Sequence, residues 1–218
     1  MKHSLVIFDL DGTLLDTLDD LGAAVNHALS LRGLPLHDRA AYEKKVGHGI
    51  RDLVTKSLPE DRRGDEALIE ACLADFKAWY TTHIDVHTRP YPGMPALLTR
   101  LQEKGVALAV ASNKFQEGTE LLVREFFPDI RFAAILGNRP DAPLKPDPRI
   151  VEEALKAGGA SREAAILVGD SGTDMQTAAN GGIRAIAVGW GYRDLSGTPG
   201  VRVAGNADEL SALLFEEI

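Results

Sequence analysis

The chain has 218 residues, 44% of them hydrophobic and 26% charged, an ordinary globular composition with enough apolar mass for one full core and a smaller one. Its formal net charge of -8 excludes long-range attraction to nucleic acid or to an anionic membrane, and an anionic substrate would need local groups that overcome this field. A lone cysteine, Cys72, excludes an intrachain disulfide, and its plainest role is that of a small apolar side chain on a helix face.

The first apolar run, Leu5 to Phe8, leads straight into "DLDGTLLD", with Asp9, Asp11 and Asp16 within eight positions. Because the opening stretch ends in acids instead of a small-residue cleavage site, it makes a poor secretory signal. No run approaches the roughly 18 apolar residues that span a bilayer, so a cytoplasmic protein is expected. Residues two apart on an extended strand point the same way, so Asp9 and Asp11 can present their carboxylates to one pocket, and Gly12 then lets the chain turn. An acidic turn facing water is the plainer alternative.

Helical periods follow. In "LDDLGAAVNHALSLRG", Leu18, Leu21, Val25, Ala28, Leu29 and Leu31 recur at three- and four-residue steps, with Gly33 suited to a C-terminal cap. In "DEALIEACLADFKAWYTTHI", Leu68, Cys72, Leu73, Phe76, Trp79 and Tyr80 do the same. The segment 17–86 therefore reads as an all-helical insert, and the Pro- and Gly-rich "DVHTRPYPGMP" as its return linker. Residues 1–16 and 87–218 form the remaining domain. There, strands at 4–8, 106–112, 131–137, 164–170 and 184–189 alternate with helices at 94–104, 115–126, 147–157 and 173–180, and a last helix runs over 207–217. Short, continuously apolar strands separated by helices predict an α/β fold: a Rossmann-like, doubly wound parallel sheet covered on both faces.

Three further polar stretches sit where strands end. "ASNK" places Ser112 and Asn113 after the second strand, "APLKPDP" places Lys145 before a helix begun by Pro146, and "VGDSGTDMQTA" places Asp170 and Asp174 after the fourth. Singly, Ser112 reads equally as a turn former, Lys145 as a solvated loop lysine, and Asp170 with Ser171 as helix caps. A strand order of 3-2-1-4-5 would bring them together, since ligands bind where the order reverses and the carboxyl ends of the strands splay apart. Four crowded carboxylates need more positive charge than Lys145 supplies, and Mg2+, a hard ion that takes carboxylate, water and phosphate oxygens, suits them best. The six histidines are scattered, with no zinc spacing, and most are expected at the surface.

With "DLDGTLLD", "SN", "KPDP" and "GDSGTD" in that order, the chain resembles the haloacid dehalogenase-like phosphatase superfamily, over its whole length, because that family also carries a helical cap inserted after its first motif. The resemblance implies that Asp9 is the nucleophile, forming an aspartyl phosphate, and that Asp11 protonates the leaving oxygen and then activates water. It also implies that Asp9, the Asp11 backbone carbonyl and Asp170 hold Mg2+, that Ser112, Asn113 and Lys145 bind the phosphoryl oxygens, and that Asp174 orients Lys145 or a metal-bound water. Thr13 is expected to fix Asp11 through a hydrogen bond, and Asp16 to cap the first insert helix.

Within the superfamily, "DLDGTLLDT" and the stretch "VGHGIRDLV" look most like the phosphoglycolate phosphatase group, in which Gly47 and Gly49 would let a cap loop approach and His48 and Arg51 would contact the non-phosphate end of a small phosphorylated substrate. Arg51 as a solvated helix residue is the alternative. Asn180 and Gly181 stand where relatives usually carry small alanines, and Arg193 in a stretch usually less charged. Phosphosugar mutases and pyrophosphatases of the same superfamily share these acids, whereas hydrolytic dehalogenases lack the second one. A phospho-receiver module is about half as long, without a helical insert. Both a monomer and a homodimer stay open.

Overall fold

The computed structural model describes residues 4–216; His3 and the last position of the helix expected over 207–217 lie outside them. The chain divides into two compact units. One runs to Asp16 and resumes at Pro90, and the other is Thr17–Arg89.

In chain order the main elements are β1 (Leu5–Phe8), α1 (Leu18–Ser30), α2 (Arg39–Glu43), α3 (Gly49–Ser57), α4 (Glu66–Tyr80) and α5 (Met94–Glu103). Next come β2 (Ala107–Phe115), α6 (Gln116–Phe126), β3 (Phe132–Asn138), α7 (Arg149–Gly158), β4 (Ala165–Gly169), α8 (Gly172–Gly181), β5 (Arg184–Val188), β6 (Val203–Ala204) and α9 (Ala207–Glu216).

The sheet is parallel throughout, in the order β3-β2-β1-β4-β5-β6, so the expected order holds and a two-residue sixth strand extends it. Leu5 and Ile7 of β1 join Ala109 and Ala111 of β2, Leu167 of β4 and Val151, Ala154 and Leu155 of α7 in one buried cluster. Val6 and Phe8, which alternate with them, are equally buried, so both faces of the sheet are covered. Each buried Val, Leu, Ile or Phe among them contributes about 1.5 to 3 kcal/mol by leaving water.

Register places Phe8 opposite Val110 on one side and Val168 on the other, so Asp9, Ala111 and Gly169 reach the carboxyl edge together. Strand β2 does not stop at Ser112. It runs on to Phe115, with its pairing to β3 broken between Ala111 and Phe115, and the polar residues Ser112, Asn113 and Lys114 occupy that irregular stretch. Nor does a helix begin at Pro146: α7 starts at Arg149, and Lys145 and Pro146 belong to the loop before it.

The Thr17–Arg89 unit is helical. Leu18, Leu21, Val25, Ala28 and Leu29 of α1 and Ile69, Cys72, Leu73, Phe76 and Tyr80 of α4 are buried in it. Leu31 is 59% exposed because α1 ends at Ser30, and Trp79 stands partly exposed, stacked between His27 and His83. The unit extends three residues beyond the expected 17–86, and Asp20 accounts for the difference. Its buried carboxylate accepts hydrogen bonds from the backbone N–H of His87 (3.0 Å to each oxygen), and from the backbone N–H and hydroxyl of Thr88 (2.8 Å each), which binds the return segment to α1.

Candidate active site

Past Phe8 the chain turns sharply. The Leu10 carbonyl accepts from the N–H groups of Thr13, Leu14 and Leu15 at 3.0 to 3.2 Å, and Gly12 N–H donates to the Leu15 carbonyl at 2.9 Å. Gly12 has φ +87°, and a Cβ there would lie 2.4 Å from Asp170 Oδ2. Gly191 approaches from another side, where a Cβ would lie 2.2 Å from that of Asp170. Only residues without a side chain let these two loops close on the carboxylate. Asp170 Oδ2 accepts from Tyr192 N–H at 2.7 Å.

Lys145 is buried, which rules out the solvated-loop alternative, and its ammonium group meets three acceptors: the Ala111 carbonyl at 2.8 Å, Asp9 Oδ1 at 2.9 Å and Asp174 Oδ1 at 2.6 Å. Asp174 also closes a capping box at the start of α8, where its Oδ2 accepts from Ser171 N–H at 3.1 Å and from the Ser171 hydroxyl at 2.6 Å. Capping and orienting Lys145 are thus one arrangement.

Asn113 lies next to the Lys145 loop. Its side-chain amide spans the backbone of Lys145, with Oδ1 accepting from Lys145 N–H at 2.8 Å and Nδ2 donating to the Lys145 carbonyl at 3.2 Å. The amide holds the lysine's loop. Ser112 Oγ accepts from Lys114 N–H at 3.2 Å.

Two local assignments are overturned. The Thr13 hydroxyl is buried with no hydrogen-bond partner, so it does not fix Asp11; Lys114 does, its Nζ lying 3.0 and 3.4 Å from the two Asp11 oxygens. Asp16 does not cap α1, whose N-cap is Thr17 without a side-chain bond; Asp16 Oδ1 instead accepts from the Tyr192 hydroxyl at 3.3 Å. His48 and Arg51 belong to the helical unit, where Arg51 pairs with Glu66 and Glu70, which gives its guanidinium protein carboxylates. Asn180 donates to the Pro146 carbonyl at 2.8 Å and so braces the Lys145 loop.

Electrostatics follow from burial. Asp9, Asp170 and Asp174 each bring a carboxylate oxygen within 4.8 Å of the others'. Burial, then the charge of Asp174, raises the Asp9 carboxyl well above the usual carboxylate range, with Lys145 opposing. The same two causes push Asp170 up to about 7, against the Tyr192 N–H and the cations Lys145 and Arg193. Burial disfavours the charge on Lys145, but Asp174 and Asp9 outweigh it and hold the ammonium form above the ordinary lysine range.

Four carboxylates (Asp9, Asp11, Asp170, Asp174) face two ammonium groups (Lys114, Lys145) and, toward Asp170, the Arg193 guanidinium, so formal negative charge still exceeds positive at this edge. Both oxygens of Asp174 are engaged by Lys145 and Ser171, which leaves Asp9 and Asp170 as carboxylate donors. Hard oxygen donors in a surplus of negative charge fit a divalent cation such as Mg2+. Among the described residues no helix is long and apolar enough to cross a membrane.

The profile of the haloacid dehalogenase-like hydrolases matches residues 6–188. A phosphoglycolate phosphatase of Mesorhizobium japonicum is 37% identical over 195 residues, covering 89% of this chain and 86% of its own length. One of Aquifex aeolicus is 32% identical over 192 residues, covering 88% and 87%. The crystal structure of a candidate phosphoglycolate phosphatase from Lactobacillus delbrueckii subsp. bulgaricus matches with a TM-score of 0.89 at 32% identity, over 98% of this chain and 99% of that one. The chain belongs to the haloacid dehalogenase-like hydrolases, and among them to the phosphoglycolate phosphatase-like phosphatases.

Proposed function

We propose that the protein hydrolyses a small phosphate monoester, of the phosphoglycolate type, through an aspartyl phosphate on Asp9. The observation that carries this is the buried Asp9 carboxylate, 2.9 Å from the Lys145 ammonium and grouped with Asp170 at the carboxyl edge of the sheet. An Asp9 oxygen attacks phosphorus, the bond to the ester oxygen breaks, and that oxygen leaves with the electron pair and a proton from Asp11. Asp11 then takes a proton from water as the water oxygen attacks phosphorus, and the Asp9–phosphorus bond breaks to release inorganic phosphate and restore both carboxyl groups.

Lys145 offsets charge on the transferring group and keeps Asp9 in place, Asp174 and Asn113 hold Lys145, and Ser112, the residue before Asn113 in the irregular stretch of β2, would bind a phosphoryl oxygen. A Mg2+ ion held by Asp9, Asp170 and the Asp11 backbone carbonyl would supply the remaining positive charge that phosphoryl transfer requires. The helical unit Thr17–Arg89 is assigned the role of cap from its point of insertion, and the cytoplasm is assigned as the site of action, a reducing compartment in keeping with the single buried cysteine.

The substrate assignment rests on the two relatives named above, both phosphoglycolate phosphatases. Incubation with 2-phosphoglycolate and Mg2+ should release inorganic phosphate, and Asp11→Asn should leave a slow, trapped phosphoenzyme. Phosphate returned to a second hydroxyl of the substrate, with none released, would mark a mutase instead.

A further inference from the structure

The hydrolytic scheme leaves Lys114 without a role toward the substrate, although it is the second cation of the site. Its side chain is 0% exposed, and its Nζ lies 3.0 and 3.4 Å from the two oxygens of Asp11, the group that meets the leaving oxygen in that scheme. The Asp11 side chain is the more open of the two, at 13% exposed, so solvent meets the pair at Asp11.

We propose that Lys114 reads a carboxylate carried by the leaving alcohol, and so selects phosphate esters of 2-hydroxy acids over esters of neutral alcohols. The inference rests on the phosphatase reading and on Asp11 as its proton donor. In such an ester the carboxylate carbon is two bonds from the ester oxygen, about 2.4 Å away by ordinary bond lengths. An ester oxygen within hydrogen-bond distance of Asp11 therefore brings that carboxylate into the neighbourhood of Lys114 Nζ.

Lysine suits the task, being a compact charge with three donors on a flexible stem, able to share itself between two carboxylates. The balance of the site demands it as well. With four carboxylates already present, a further anion beside Asp11 would face that carboxylate without its paired cation if Lys114 were neutral. An ethyl group in the same place offers the ammonium nothing, and sites built around a buried polar group reject the ligand that cannot satisfy it more strongly than apolar pockets reject an extra methylene.

The test compares 2-phosphoglycolate with ethyl phosphate, which replaces the carboxylate by a methyl group, in the wild-type protein, Lys114→Met and Lys114→Arg with Mg2+ present. The wild type should favour 2-phosphoglycolate. Lys114→Met should lower the ratio of the two kcat/KM values by about 10- to 100-fold, through the KM for 2-phosphoglycolate, the range expected for loss of a charged hydrogen bond. Lys114→Arg should hold the ratio within about fivefold, because the charge is retained.

If Lys114 merely positions Asp11, Lys114→Met will slow both esters in proportion, and that outcome overturns the proposal. Should Lys114→Met fail to fold, as judged by its thermal melt, the wild type decides through competitive inhibition. 3-Phosphonopropionate should then bind at least tenfold more tightly than propylphosphonate, and equal binding overturns the proposal. Hydrolysis of both esters by the wild type with equal efficiency overturns this inference alone, whereas release of phosphate from neither overturns the phosphatase reading and this inference with it.

Discussion

Replacing Asp170 by Asn tests the electrostatic account of the site without any substrate. The Asp170 carboxyl, ordinarily at 3.8, is pushed up to about 7 in the folded protein, where it is 3% exposed. A raised acid stabilises the fold most fully where it keeps its proton, below the unfolded value of 3.8, and that contribution is lost as pH rises through the folded value near 7. A rise of roughly three units at 1.36 kcal/mol each makes the ionised group cost about 4 kcal/mol at pH 8. The asparagine carbonyl can still accept from Tyr192 N–H, as Asp170 Oδ2 does at 2.7 Å, without carrying the charge. In EDTA at pH 8 the variant should therefore melt above the wild type, by up to ~8 to 16 °C for a domain of this size, with the gap closing toward pH 4. Millimolar Mg2+ should raise the wild-type Tm at pH 8 and leave that of the variant nearly unmoved. Scanning calorimetry at several pH values with and without Mg2+ reads both effects. A variant no more stable than the wild type at pH 8 in EDTA, or one that gains as much from Mg2+, would refute the reasoning.

Asp9→Asn should abolish phosphate release in a protein that still folds and melts cooperatively, and Mg2+-dependent turnover in that variant would remove Asp9 from its role. Thr13→Val replaces a buried hydroxyl that has no partner, so it should be neutral or stabilising by about 1 kcal/mol in urea denaturation and leave kcat within about twofold; a tenfold loss would restore a polar role to Thr13. Asp20→Ala should cost about 3 kcal/mol, chiefly by leaving the two buried donors of Thr88 unpaired. Faster hydrogen exchange at the His87 and Thr88 amides would show it, and unchanged exchange would count against the clamp.

The sheet was readable because its strands are short, apolar on both faces and separated by helices, and because the polar motifs stand at one end of each strand, as at Asp9, Ser112 and Asp170. Assignments failed where they borrowed a partner from the local sequence. Thr13 and Asp16 are near Asp11 and α1 along the chain, yet Asp11 is held by Lys114, 103 positions away, and Asp16 by Tyr192, 176 positions away. Lys114 was visible in "ASNK", but its burial depends on β2 running past Ser112, and the alternating pattern that marks a strand is absent where the pairing breaks. Gly191 had no signal of its own, since a glycine in a loop declares nothing about what it allows to come close. The sixth strand, Val203–Ala204, is too short to show any period.

The Asp20 clamp means that the helical segment ties its own two ends together, entry to exit, before the chain goes on. A segment tied in this way should keep its ends together when the rest of the chain is altered, provided the acid near its beginning and the His-Thr pair near its end are both retained.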